Sequence, residues 1–129
     1  MMRLWHEKLI TKLPRQQLLG QHRECCALRG NGWGKKHATV NYVFYYSPYR
    51  LFLYHQLIID EMKKREYHVN PLWENPFYRG KACSLHTANS LYAPEEEALQ
   101  KRPIYPEHDE VYLRECIDNL KAKGIHICL

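Results

Sequence analysis

The chain has 129 residues, of which 45% are hydrophobic and 26% charged, and its formal net charge at pH 7 is +5. This length and composition predict one globular domain over residues 1–129 and exclude two domains of ordinary size. No run of about 18 apolar residues occurs and the first residues lack the hydrophobic region of a secretory signal, so we expect a cytosolic protein without a membrane partner.

The charge is distributed unevenly along the chain. Residues 1–50 contain nine Lys or Arg and two acidic residues, a net charge of +7, whereas the remaining residues carry −2. Solvated surface lysines account for part of this excess. A basic half also favours a polyanionic partner, of which nucleic acid is the commonest.

The first predicted element is an arm that leads into a helix. Residues 3–13 mix apolar and charged side chains and stop at Pro14, a residue favoured at helix starts, so we interpret them as a short extended arm lying on the domain. From Pro14 to Arg29 the apolar residues recur with helical spacing. The face predicted to meet the core contains Leu18, Leu19, His22, Cys25, Cys26 and Arg29.

A second face of this helix carries Gln17, Gly20, Gln21 and Glu24, which are three or four residues apart. Glycine inside a helix is about 1 kcal/mol less favourable than alanine, so Gly20 needs an explanation. One explanation is close packing against another helix. The other is that the missing side chain leaves the surface beside the Glu24 carboxylate open to a backbone or a ligand.

Residues 30–37, GNGWGKKH, predict a mobile glycine turn that ends the helix. Trp33 stands in this turn, directly before Lys35, Lys36 and His37. An aromatic residue on a loop beside lysines suits a wedge between stacked bases. The alternative is that Trp33 folds back as a lid over the core.

Residues 38–46 are rich in aromatic and β-branched side chains, and we interpret them as an extended segment or an irregular buried stretch. Ser47 and Pro48 then predict a helix start, and apolar residues keep helical spacing to about Arg65. His55 falls among apolar neighbours in this helix. We expect it to be a hydrogen-bonded core histidine.

Residues 67–105 contain four prolines and show no sustained period beyond a possible short helix at residues 94–101. A long connection of this kind is often a lid or a binding loop. Within it, Gly80 between Arg79 and Lys81 is suited to bringing backbone N–H groups up to a phosphate.

The last predicted helix begins at Asp109, a capping residue, and runs to Lys123, where Gly124 stops it. The predicted fold class is therefore mainly α, a single domain of three principal helices with long irregular connections.

The standard hydrolase and nucleotidase motifs are absent: no phosphate-binding glycine loop, G-x-S-x-G elbow or H-E-x-x-H occurs. Five cysteines without a Cys-x-x-Cys pair argue against a disulfide framework and a zinc ribbon. His22 and Glu24 lie about 200° apart around a helix and cannot easily share an ion. We predict no cofactor and no local metal site, while a site gathered from His6, His37 and His108 stays open.

Two short stretches carry a family resemblance. LLGQHREC at residues 18–25, preceded by Arg-Gln-Gln, resembles the first-helix motif of the pyrimidine-dimer DNA glycosylase and abasic-site lyase family, the class of phage endonuclease V. Residues 2–5 (MRLW) are similar to the start of a bacterial subgroup. The resemblance covers residues 2–28, is fair around His37 and returns at residues 57–67. It implies a mostly helical fold with three main helices.

The resemblance also implies a mechanism. Arg23 and Glu24 fall on the family's catalytic pair, and the amino terminus, on Met1 or Met2, would be the nucleophile that attacks the sugar C1′. An α-amine has a pKa of about 8 against about 10.4 for lysine, so at pH near 7.4 roughly a fifth to a third of it is neutral. Glu24 would stabilise the cationic sugar and assist proton transfers, and Arg23 would hold a phosphate or the sugar.

The implied partner is damaged double-stranded DNA, bent and with the target nucleotide flipped out. Gln17 and Ala27 depart from a histidine and a basic position of the family, whereas His37 retains its type. The residues predicted to contact DNA are Arg3, Arg15, Gln17, Gly20, Arg29, Trp33, Lys35, Lys36, His37, Arg79 and Lys81.

We therefore predict a monomeric base-excision glycosylase and abasic-site lyase acting on damaged pyrimidines. Two alternatives stay open. One is a non-catalytic DNA- or RNA-binding module that uses the basic half. The other is an enzyme that acts on a free nucleobase or nucleotide with Glu24 in the same pocket.

Overall fold

Helices account for all the regular secondary structure in the computed structural model, which describes residues 3–35, 40–93 and 103–129. The predicted mainly α fold with three long helices is confirmed. The α-helices are α1 (Arg15–Arg29), α2 (Pro48–Lys64), α3 (Ala88–Tyr92) and α4 (Glu110–Ala122). Three short 3₁₀ helices lie at Glu7–Lys12, Asn41–Tyr45 and Pro71–Glu74.

The helix α2 forms where its capping residues predict it. The Ser47 hydroxyl accepts a hydrogen bond from the Arg50 N–H, Pro48 occupies the first turn, and the helix ends at Lys64. Its apolar stripe packs mainly against α1, and Leu51, Tyr54 and Ile58 are fully buried. This contact between α1 and α2 is the centre of the hydrophobic core.

The helix α4 is also confirmed. The Asp109 carboxylate caps it by accepting from the Tyr112 N–H, and Gly124 follows its end with a φ of +82°. Leu113, Cys116 and Leu120 are buried in the common core.

The prediction of an extended arm over residues 3–13 is wrong for most of that segment. Glu7–Lys12 is a 3₁₀ helix, capped by the His6 side chain, and Leu9 and Ile10 are buried in it. The residues before Glu7, and Leu13 at the other end, lie outside this helix. The apolar residues of the segment bury one face of a helical turn and so belong to the core itself.

Two other irregular stretches also turned out helical. Asn41–Tyr45 is a 3₁₀ helix with Val43 fully buried, where we had expected an extended or irregular segment. The five-residue α3 was not predicted; a reciprocal capping box between Thr87 and Ser90 stabilises its start. The helix proposed for residues 94–101 lies outside the described residues.

None of the helices in the described segments combines the length and the hydrophobicity that a membrane span requires.

Candidate active site

A polar cavity of about 350 Å³ opens beside the first half of α1. Three parts of the chain form its walls: the first residues, α1 and α4. The lining residues are Arg3, Trp5, Gln16, Gln17, Gly20, Glu24, Asn119 and Lys123. The helix face that sequence spacing predicted around Gly20 and Glu24 is thus the floor of a cavity.

Glu24 is the acid of this cavity. Its side chain is half-buried, and Oε2 accepts a hydrogen bond of 3.3 Å from the backbone N–H of Arg3. Burial raises the pKa of the Glu24 carboxyl, while the Arg3 N–H and the positive charges of Lys123 and Arg23 act in the opposite direction. A carboxyl group whose pKa is raised toward neutrality is suited to both accepting and donating protons.

Gly20 leaves the cavity open one turn before Glu24. A Cβ atom added there would meet, among the described residues, only the Nη2 atom of Arg23, at 3.7 Å. The explanation by close helix packing is therefore wrong, since no backbone atom of another described segment lies within 4 Å of this position. Arg23 itself is exposed beside the cavity.

The first described residues, Arg3 to Trp5, have no regular secondary structure, and these three residues are called the arm from here on. Gln21 of α1, which is fully buried, holds two of its peptide groups: Oε1 accepts from the Trp5 N–H at 2.6 Å, and Nε2 donates to the Arg3 carbonyl at 2.8 Å. Both contacts require the same orientation of the amide, because one partner is a donor and the other an acceptor.

Two tyrosines complete the hold on the arm. The Tyr54 hydroxyl of α2 donates to the Trp5 carbonyl at 2.5 Å, and the Tyr112 hydroxyl of α4 donates to the Leu4 carbonyl at 2.6 Å. Side chains of all three long helices therefore fix the arm in front of Glu24.

The helix α4 and the residue that caps its end supply two cavity residues that sequence reasoning missed, Asn119 and Lys123. The Lys123 ammonium lies 5.3 Å from the centre of the Trp5 ring, a cation–π distance. No local signal identifies these residues, since they lie some hundred positions after Glu24 in the chain.

Arg29, predicted to contact DNA, instead lies inside the protein with 4% of its surface exposed. Its Nη atoms donate to the carbonyls of Trp73, Asn75 and Tyr78 at 2.8–3.0 Å and to His55 Nδ1 at 2.9 Å. Burial lowers its pKa to about 10. The DNA-contact prediction is wrong for Arg29, because all four of its Nη hydrogens serve internal acceptors.

Arg79 makes the reciprocal contact, from the loop back to the end of α1. Its guanidinium donates to the carbonyls of Arg29 and Gly30 at the end of α1, at 3.0 and 3.1 Å. The two arginines thus fasten residues 73–79 to the C-terminal end of α1. Arg79 therefore has a structural role at this position, and its phosphate contact stays a prediction.

Trp33 folds back over the core, which is the second of the two interpretations of the sequence. Its ring packs edge-on against Phe44, with centroids 5.0 Å apart, at the border of the core. It therefore contributes to the cover of the core and is not a free wedge.

The remaining predicted DNA contacts divide into three groups. Arg15, Lys35 and Lys81 are exposed, and Arg3 is half-buried with its guanidinium 5.5 Å from the Tyr112 ring centre. Gln17 lines the cavity together with Gly20. The predicted residues Met1, Met2, Lys36 and His37 lie outside the described part of the chain.

A His-Cys-His cluster on the opposite side of α1 has the composition of a metal site. The ligand atoms of His22, Cys26 and His55 lie within 4.8 Å of one another. Arg29 can only donate, so His55 Nδ1 must accept, and the His55 proton lies on Nε2, 2.8 Å from His22 Nδ1. A metal ion in this cluster would have to bind His55 through Nε2, which carries the proton. The hydrogen-bonded cluster therefore does not fit a metal ion.

The pKa values of the cluster follow from burial. Burial lowers the pKa of His22 and lowers that of His55 further, with the positive charge of Arg29 acting in the same direction on both. Burial also raises the pKa of the Cys26 thiol to about 11. His55 is thus the hydrogen-bonded core histidine that its position predicted.

Comparison with known proteins identifies the family. A family model described as pyrimidine dimer DNA glycosylase matches residues 2–75, more than half of the chain. The match contains the arm, α1 and α2, and it excludes α4. No curated protein and no solved structure matches. The resemblance in the first helix is confirmed, and the chain belongs to the pyrimidine dimer DNA glycosylase family.

Proposed function

We propose that this protein is a base-excision glycosylase with abasic-site lyase activity, which acts on damaged pyrimidines in double-stranded DNA. In this proposal the α-amine of the chain's amino terminus, on Met1 or Met2, is the nucleophile. Glu24 is the catalytic acid and base, and Arg23 holds a phosphate or the sugar. Family membership supports DNA as the substrate.

The observation that carries the proposal is the hydrogen bond from the Arg3 N–H to the Glu24 carboxylate, at the wall of an open cavity. One or two residues of chain reach at most about 7 Å. The chain upstream of Arg3 is therefore short enough for an amine on Met1 or Met2 and the Glu24 carboxylate to act on the same flipped nucleotide. The positive charges of Arg3 and Lys123 suit the phosphates on either side of it.

The proposed chemistry proceeds in two stages. The neutral amine attacks C1′ while the bond from C1′ to the base breaks, and the proton that the amine loses goes to the departing base. Glu24 then gives a proton to the ring oxygen, and opening of the sugar ring leaves a protonated imine between the amine and C1′. Glu24 accepts the C2′ proton, and the electron pair of that C–H bond expels the 3′ phosphate. Burial raises the pKa of Glu24, which brings its proton affinity closer to that of the groups it serves.

Borohydride trapping tests this proposal. The protein is incubated with a duplex that carries a single abasic site, the imine is reduced, and proteolysis with mass spectrometry locates the adduct. We expect the adduct on the amine of the terminal residue. We also expect selective acetylation of that amine to abolish trapping.

Two results would contradict the proposal, each favouring one alternative. Salt-dependent DNA binding without trapping would indicate a non-catalytic nucleic-acid-binding module. Turnover of a free nucleobase derivative or nucleotide, without salt-dependent DNA affinity, would indicate the small-molecule enzyme. An adduct on a lysine side chain would keep the lyase activity but overturn the role of the terminus.

A further inference from the structure

We propose that Gln21 is the positioning residue of this enzyme, whose side-chain amide sets the register of the arm in front of Glu24. The inference rests on the proposed function, because the arm leads to the amine that reacts. Gln21 is fully buried and is not among the cavity-lining residues. It therefore acts through the arm and has no substrate contact of its own.

The arm needs such a partner because no backbone group pairs with it. Among the described residues, no backbone-to-backbone hydrogen bond involves Arg3, Leu4 or Trp5. Extended chain with unpaired peptide groups is normally stabilised by a neighbouring strand. Here the Arg3 carbonyl, the Leu4 carbonyl and both polar groups of Trp5 bond to side chains.

The geometry of the Gln21 contacts is that of a parallel strand. In a parallel pair, one residue accepts from the N–H of residue i+1 and donates to the carbonyl of residue i−1 of its neighbour. The Gln21 amide does the same around Leu4, since Oε1 accepts from Trp5 and Nε2 donates to Arg3. Sliding the arm by one residue would reverse its faces and break both bonds.

The register matters because it fixes which backbone N–H lies at Glu24. With Gln21 bonded on both sides of Leu4, the Arg3 N–H points to the Glu24 carboxylate. The register thus sets the point, next to the acid, from which the chain continues to its amino terminus. Misplacement of a reacting group by about 1 Å is enough to lower a rate by about 10²-fold.

Two substitutions test the inference. Gln21→Leu keeps the size of the side chain and removes both arm contacts, together with the 2.9 Å contact between Gln21 Oε1 and the Tyr54 hydroxyl. Gln21→Glu keeps an acceptor for the Trp5 N–H but, when ionised, loses the donor to the Arg3 carbonyl. Leu28→Ala is the matched control. Leu28 is also fully buried on α1, and its apolar side chain forms no hydrogen bond to the arm.

We expect Gln21→Leu to lower the single-turnover trapping rate by about 10²-fold, with the affinity for the abasic duplex unchanged. Amide hydrogen exchange at Trp5 should become faster than in Leu28→Ala. For Gln21→Glu, the rate relative to wild type should recover as pH falls, because a protonated carboxyl has one donor and one acceptor like the amide. If Gln21→Leu does not fold, Gln21→Glu is the variant that tests the inference.

The inference fails if wild-type protein forms the trapped adduct and the Gln21 variants form it as fast as Leu28→Ala. It also fails if Trp5 exchange is the same in the Gln21 variants and the control. Absence of trapping in the wild-type protein is a different result, because it overturns the proposed function and with it the role of the register.

Discussion

The two sides of α1 differ in how their polar groups are satisfied. On the side of Gly20 and Glu24, the polar atoms face an open cavity. On the side of His22, Cys26 and Arg29, they form a closed chain in which the Arg29 Nη groups and the His55 Nε2–H donate to acceptors inside the protein.

This difference separates function from stability. Titratable residues lie on both faces, and the His-Cys-His cluster has the more familiar ligand composition. Closed hydrogen bonding makes the cluster a structural element, whereas the raised pKa and open surroundings of Glu24 make it a candidate for chemistry. Substitutions on the two faces should therefore change different measured quantities.

The largest effect should come from Glu24→Gln on the open face. We expect single-turnover trapping and strand cleavage to fall by about 10²- to 10⁴-fold, the usual contribution of an acid or base. The folded structure should persist, since the amide still accepts from the Arg3 N–H. Thermal unfolding is the control, and full activity in the variant would exclude Glu24 as the catalytic acid.

Arg29→Met should have the next largest effect, and on stability. The carbonyls of Trp73, Asn75 and Tyr78 lose their donors, so we expect the free energy of unfolding to fall by about 3 kcal/mol. Denaturant titration measures this change. Arg15→Met is the matched control because Arg15 is an exposed arginine of the same helix, and equal effects of the two would contradict the closed network.

Glycine substitutions give a smaller contrast. Gly20→Ala should stabilise the protein by about 1 kcal/mol, because the new Cβ enters the open cavity at an ordinary distance from Arg23. Gly30→Ala should destabilise it, because there the Cβ would lie 2.7 Å from the backbone oxygen of Arg79. Thermal denaturation of both variants distinguishes an open from a closed surface, and the same sign for both would refute the contrast.

The smallest expected effect is a pH dependence of stability. The pKa of Glu24 is raised in the folded state, so its contribution to stability is fully present below the unfolded pKa of about 4.3 and is lost as pH rises through the folded pKa. Glu24→Gln removes this pH-dependent contribution to the free energy of unfolding. Its unfolding free energy relative to wild type should therefore increase with pH, and a constant difference would contradict the raised pKa.

The sequence predicts the long helices well because their ends are chemically marked. Ser47 and Asp109 cap α2 and α4 as expected, and the predicted ends agree within one residue of the structure. The open face of α1 also follows from spacing, since residues four apart share a side of a helix. The 3₁₀ segment at Glu7–Lys12 is missed because its apolar pattern is too short to fix a period.

The site is less predictable because its walls come from distant parts of the chain. Gln21 shares the spacing of Gly20 and Glu24, but its burial depends on where the arm lies. Arg29 was correctly placed on the core face, yet its donors were expected to reach DNA. Only the fold of residues 73–78 brings three carbonyls to it.

The anchoring of the arm has a consequence for how activity appears during folding. Gln21, Tyr54 and Tyr112 belong to three different helices, so the arm acquires its position only after all three have packed. Under the proposed function, a newly made or partly unfolded chain has the terminal amine without the aligned acid. We therefore expect borohydride-trapping activity to appear only with the last packing step of refolding.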